Sequence, residues 1–320
     1  MASLDITSTY NGEGAEGYIS AAILSADTLA ENLVTSHTGI KKKLTIQKLD
    51  SGDIQSYACA FTPVDDEVTI TEAVLEPANL MRNIEVCKSE FYEAWNALQT
   101  GNGRAGIQVP QNFNDFLVQH LAAKVAAGIE KAIWRGNYNE TDGSASGGTS
   151  VSYFDGLLHR VVDATPAYEK EATGAFTADN HATTGILTHL VDLVGNMPDA
   201  IDGDPETEIF MSRKALSQLH IAMSSVGVAG GYTPFLGEGR PATYLGYNLV
   251  VPSGMPADTL LATKRENLHF GTDLMSDFNA VNIVDMSETT GDDKIRMRMN
   301  FCGATQVGFE SDIAVVRRES

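Results

Sequence analysis

The sequence predicts an α+β fold with outstretched parts, on three observations. Residues 40–88 read as β-structure. One long helix stands alone from about Gln111 to Trp134. From Gly185 onward short helices and strands alternate, and the chain ends rich in β.

Within the first stretch, Leu44, Ile46 and Leu49 roughly alternate with polar residues behind the lysine-led run Lys41-Lys42-Lys43. Asp50-Ser51-Gly52-Asp53 is a turn cluster, and Tyr57, Cys59 and Phe61 alternate again up to Pro63. The sum is a long hairpin with few large apolar side chains. A lone hairpin is marginal in water, so this one is expected to lean on something else. Val68-Thr69-Ile70 and Leu80 to Val86 read as further strands, with Val74-Leu75-Glu76-Pro77 as a break.

The long helix is capped by Asn112 and carries Phe113, Phe116, Leu117, Leu121, Val125, Ile129 and Ile133 along one face. Trp134-Arg135-Gly136-Asn137 stops it. Lys88 to Leu98 reads as a shorter helix, and residues 139–150 as a loop by composition. Further on, Gly185–Met197 and Arg213–Met223 read as helices and Glu208–Met211 as a short buried strand. Residues 227–241 form a glycine-rich loop. Strands are expected at 249–251, 260–261, 268–270, 281–284, 295–299 and 313–316. Before all of this, Ile19, Ala22, Ile23, Ala26, Leu29 and Leu33 hold helical spacing on a segment with little core of its own, which a neighbouring molecule would order.

Composition narrows function. The 320 residues suffice for one large domain or two lobes. With 42 acidic and 22 basic residues the formal charge is −20, which argues against a protein that grips nucleic acid by neutralising phosphates. It does not argue against a container, whose acidic walls would repel packed DNA. No stretch approaches the ~20 apolar residues that cross a bilayer, and Met1-Ala2-Ser3-Leu4-Asp5 lacks the pattern of a secretory signal. Cys59, Cys87 and Cys302 lie far apart without a CxxC and read as buried free thiols.

The order of these segments resembles the major capsid proteins of tailed bacteriophages, which share the Hong Kong 97-like fold. Ile133-Trp134-Arg135-Gly136-Asn137 is similar to that family's helix exit, and Phe154-Asp155-Gly156-Leu157-Leu158 to its step into the axial domain. Ile209-Phe210-Met211-Ser212 with Ala215 and Leu219 resembles its strand–helix pair. Leu245 to Pro256, with Gly246-Tyr247-Asn248-Leu249-Val250-Val251-Pro252, resembles a further segment, and Arg296 to Phe309 the closing strands. The chain departs from the pattern at Asn248, where proline is usual, and in the strand content of residues 65–90. The resemblance implies an N-terminal arm (1–39), an extended-loop β-hairpin (40–72) and a peripheral domain (73–138) with spine helix 111–134. It further implies a mixed α/β axial domain (139–300) and closing strands that return to the peripheral domain (301–320).

The implied function is structural: many copies forming pentamers and hexamers of an icosahedral shell, in the virion, around double-stranded DNA that is enclosed without sequence-specific binding. Assembly is expected in the host bacterial cytoplasm, with no membrane involved. Portal, scaffolding and decoration proteins are the further partners implied, any scaffold being a separate protein or already removed. Deleting residues 1–35 is expected to leave the core folded and to block assembly. The alternative on the same fold is an encapsulin-like nanocompartment packaging cargo enzyme.

No catalytic, cofactor-binding or metal site is expected, and no cofactor. Gly12-Glu13-Gly14-Ala15-Glu16-Gly17 satisfies GxGxxG, but no apolar strand precedes it and two glutamates would repel a pyrophosphate. Asp202 to Glu208 alternates acids but has Thr207 where a calcium loop needs glycine. The seven histidines show no ligand spacing, and His120 and His220 read as core or interface residues. No GxSxG elbow presents a nucleophile. Lys41, Lys42, Lys43 and Lys48 read as a solvated strand pairing with acidic neighbours; cross-linking of such a lysine, known in the family, finds no identifiable partner here. An α/β enzyme with its site near Asp199 to Glu208 is the competing class.

Overall fold

The computed structural model describes residues 27–50, 69–87, 126–137, 154–179, 184–226, 243–273, 281–286, 291–292 and 294–318. Their central layer is a six-stranded mixed sheet. Its strands are β5 (Tyr168–Ala172), β6 (Thr207–Met211), β7 (Thr243–Tyr244), β8 (Tyr247–Val250), β9 (Thr259–Lys264) and β13 (Ala314–Arg318), in the order β5-β13-β9-β6-β8-β7. The apolar runs of the middle strands follow from burial on both faces. Side chains alternate across a strand, so Ile209, Met211, Leu260, Ala262, Ala314 and Val316 enter one core, while Phe210, Leu261 and Val315 enter another. Two helices, α4 (Ile186–Gly195) and α5 (Arg213–Val226), close the first core with Ile186, Leu190, Leu193, Ala215 and Leu219.

The second core joins this layer to a five-stranded sheet made of β1 (Thr35–His37), β4 (Ala78–Cys87), β10 (Leu268–Gly271), β11 (Val281–Asp285) and β12 (Lys294–Val307). Into it project Ile129, Ile133 and Trp134 from the helix over 126–135 (α2), and Leu157 and Val161 from α3 (Leu157–Asp163). Trp134 stacks at 5.6 Å, tilted, against Phe210. Two glycines singled out by sequence meet here. A Cβ on Gly136 would lie 1.9 Å from the Phe154 carbonyl, and one on Gly156 would lie 2.4 Å from the Gly136 nitrogen. The Gly156 N–H donates to the Gly136 carbonyl at 2.8 Å. The helix exit at Gly136 and the turn at Gly156 are thus one contact that only glycine permits.

Several expectations are revised. The expected hairpin partner of residues 44–49 lies at 57–61, outside the described residues. The observed partner of β2 (Leu44–Asp50) is β3 (Thr69–Leu75), antiparallel from Leu44↔Leu75 to Asp50↔Thr69. β-Branched Thr69, Ile70, Thr71 and Val74 suit that role, and Gln47–Glu72 (2.7 Å) and Lys43–Glu76 (2.9 Å) reinforce the register. Of the expected break at residues 74–77, Glu76 and Pro77 lie between β3 and β4, while Val74 and Leu75 belong to β3.

The arm boundary also moves. Residues 27–40 are not outstretched: Leu29, Leu33, Val34 and Ile40 are buried, and β1 pairs in parallel with β10. Within the described residues helix α1 is Asp27–Ala30, and Leu33 lies beyond it. Deleting residues 1–35 would therefore cut into the core, and a clean truncation has to fall before Asp27.

The boundary drawn at residue 300 falls inside β12, which runs unbroken through small residues 302–304. Gly303 there leaves room for Phe154 and Phe270. β13 joins the six-stranded sheet because Ala314, Val315 and Val316 are buried on both faces. The helix over 88–98, the first part of the long helix and the loops at 139–150 and 227–241 lie outside the described residues.

Candidate assembly surface

The β2–β3 ribbon presents one outward face. Register places Thr45 opposite Val74, Gln47 opposite Glu72 and Leu49 opposite Ile70. On this face Ile70 is 58% exposed and Val74 43%. The other face carries Leu44, Ile46, Lys48, Ala73 and Leu75. Of these, Leu75 is fully buried, packing with Ile40, Leu44 and Ala304 at the ribbon's base. A two-stranded ribbon with β-branched apolar residues facing water on one side lacks the cover that stabilises such elements. On β4, Met81 is 64% exposed.

At the inner end of the N-terminal segment lies a buried junction that sequence reasoning missed. The Glu130 carboxylate, 4% exposed, accepts from the Thr28 N–H (3.0 Å), the Thr28 hydroxyl (2.6 Å) and the Gly254 N–H (3.1 Å). The Trp134 indole N–H donates to the Thr28 hydroxyl at 2.7 Å. Arg135, whose ionisation burial works against, donates to the carbonyls of Gly254 (2.7 Å) and Met255 (2.8 Å). Glu130 thus satisfies an orphan N–H of α1 from another helix. A Cβ on Gly254 would lie 2.2 Å from the Glu130 carbonyl, so this approach also requires glycine. The available signal was an acid four residues before a tryptophan, among apolar Ile129, Ala132 and Ile133.

The residues weighed by sequence go elsewhere. The acidic segment is tied down residue by residue. Asp202 accepts the Tyr247 hydroxyl at 2.6 Å, Asp204 pairs with Lys264 at 2.5 Å, and Glu208 takes Arg265 through two bonds of 2.6 and 2.9 Å. Lys264 and the Glu206 N–H hold the Asp204 carboxyl below its usual range. These carboxylates hold β6, β8 and β9 together and do not converge on a pocket. Among the described residues no group of three or more metal-ligating side chains gathers, and no helix is long and apolar enough to cross a membrane.

His220 is exposed on α5, on the face opposite Ala215, Leu219 and Ala222, and so is not a core residue of the subunit. His189 is buried beside Phe176, which lowers its pKa. His37 and His269 share a hydrogen bond of 3.1 Å, and burial, then His37, pushes His269 down to about 4. His120 and Cys59 lie outside the described residues. Cys302 is buried, and its sulfur accepts the Asp273 N–H at 3.0 Å.

No family model matches the chain. No curated protein matches it. Solved structures do. A chain of the satellite phage P4 procapsid that includes the size determination (Sid) protein is 14% identical, with a TM-score of 0.59 over 95% of this chain and 98% of that one. The chain has the Hong Kong 97-like capsid fold. The capsid of a native GTA particle is also similar, at 14% identity and a TM-score of 0.56 over 100% of this chain and 95% of that one. So is a virus-like particle from Pyrococcus furiosus, at 8% identity and 0.50 over 95% and 98%. At these identities the likeness is one of fold. It covers nearly the whole chain, which suits a match of whole architecture more than of one shared motif.

Proposed function

We propose that the chain is the major capsid protein of a tailed phage, which self-assembles through pentamers and hexamers into an icosahedral shell enclosing double-stranded DNA. The observation that carries this reading is a capsid fold over nearly the whole chain together with an uncovered apolar ribbon face. In this reading residues 1–26 belong to the arm and the β2–β3 ribbon is the extended loop. The sheet around β4 and β12 with the spine helix is the peripheral domain, and the six-stranded layer is the axial domain. Each ribbon finds its missing cover on a sister subunit, and repeated contacts of that kind close into rings and shells. The protein acts as a structural element and not as an enzyme: its buried charges bind neighbouring elements of its own fold. Its acidity keeps packed DNA from adhering to the wall. Portal, scaffolding and decoration proteins are the partners such a shell uses.

A second reading, a compartment that packages a cargo protein, is favoured by the likeness to the virus-like particle. The contents of purified particles separate the two: nuclease-protected DNA of genome length supports the phage shell, a co-purifying protein cargo the compartment.

The ribbon assignment has its own test. Ile70→Asp with Val74→Asp places charges where water already reaches, so the thermal midpoint of the subunit should stay within a few degrees. Burying an aliphatic side chain stabilises by about 1.5–3 kcal/mol, so losing both at every contact should raise the concentration needed for assembly by at least about tenfold. Sedimentation velocity reads this directly, and shells forming at the parental concentration would refute the assignment.

A further inference from the structure

The ribbon is attached asymmetrically. Its base is fixed by Leu75, Ile40, Leu44 and Ala304. Further out, a groove of about 500 Å³ separates it from the body, with Thr71 and Ala73 on one side and Arg160, Asp163 and Gly308 on the other. One side chain crosses this space. The Lys48 ammonium donates to the Ser311 hydroxyl at 3.0 Å, lies 3.5 Å from the Asp312 carboxylate and sits 4.8 Å from the centre of the Phe309 ring.

The receiving turn is held rigidly. Buried Asn267 donates to the Phe309 carbonyl at 2.9 Å and accepts its N–H at 2.6 Å. Thr263 on β9 donates to the Asp312 carbonyl at 2.9 Å, and Ser311 donates to the Asp312 carboxylate at 2.6 Å. A fixed catch thus faces a lysine on a lightly attached strand.

We propose that the β2–β3 ribbon is a strap that swings about its base, and that Lys48 is the latch holding it on the 309–312 turn of its own subunit. A partly exposed ion pair joined by a cation–π contact sustains a latched-to-free ratio of about tenfold, small enough for contacts from another molecule to overturn. The latch is a property of the single subunit and holds whether or not copies form a shell.

The test is a distance measured across the groove by double electron–electron resonance. Spin labels go at exposed Ile70, far from the ribbon's base, and Asp163 through an orthogonal amino acid, in full-length protein diluted with unlabelled chain. The parent should give one narrow distance. Lys48→Met and Asp312→Asn should each shift about five- to tenfold more of the population to a longer distance, while Lys48→Arg should keep the parental profile. Asp312→Asn answers the question if Lys48→Met folds poorly. Unchanged distances in both variants, or a broad distribution already present in the parent, would overturn the proposal.

Discussion

Replacing Glu130 with alanine is expected to lower folding stability by about 3–5 kcal/mol, because a buried hydrogen-bonded carboxylate is removed while its partners stay buried. Three donors lose their acceptor at once: both groups of Thr28 and the Gly254 N–H. Water cannot easily take over, since Thr28 and Trp134 are fully buried. Glutamine should be less damaging, at about 1–3 kcal/mol, because its carbonyl satisfies one side of the junction while its NH₂ group faces a donor on the other. Urea unfolding measures both. A lower midpoint at unchanged slope is expected, and a loss under about 1 kcal/mol for the alanine variant would contradict a tightly bonded junction. In the proposed reading the consequence reaches assembly, because this junction anchors the N-terminal segment at Thr28. A variant that folds but loses it should form shells poorly even with its ribbon intact.

Acidification is expected to weaken the fold before carboxylates contribute. His269 has a folded pKa of about 4, below the roughly 6.5 of an unfolded histidine. Between these values the unfolded chain binds the extra proton, so the contribution is fully present above about pH 6.5 and is lost as pH falls towards 4. The difference corresponds to about 3 kcal/mol. His189, also lowered by burial, adds in the same direction. Asp204, a carboxylate held below its usual range, loses stability only at lower pH, through its own folded pKa. Urea midpoints from pH 7.5 to 4 should therefore fall steadily. His269→Gln should flatten that slope while lowering stability at pH 7.5 through loss of the His37 bond. An unaltered slope in that variant would assign the pH dependence elsewhere. Because His269 and His37 sit on the paired strands β10 and β1, the first consequence of protonation should be release of residues 35–37.

Much of the architecture was legible because it rests on local periodicity. The six-stranded layer, its covering helices and the glycine exits show as short apolar runs, amphipathic stretches and Gly at fixed places. The elements missed are those whose stability is not local. β1 is three polar residues held by β10 and by burial of the preceding Leu33 and Val34. β5 reads as charged, Tyr168-Glu169-Lys170-Glu171, and is a strand because it pairs in parallel with β13, where Arg317 also bridges Glu169 and Glu171. The pairing of β2 with β3 was not legible, because alternation marks a strand without naming its neighbour. The Glu130 junction joins residues more than a hundred positions apart, and no window of sequence brings Thr28, Glu130 and Gly254 together.

The most direct measurement on the shell reading is electron cryomicroscopy of the full chain after expression, paired with sedimentation of the same preparation. The expected result is closed icosahedral particles in which the Ile70 and Val74 face of each ribbon lies against a neighbouring subunit. A preparation that stays a 34.3 kDa monomer at high concentration, or particles in which that face remains open to solvent, would contradict it.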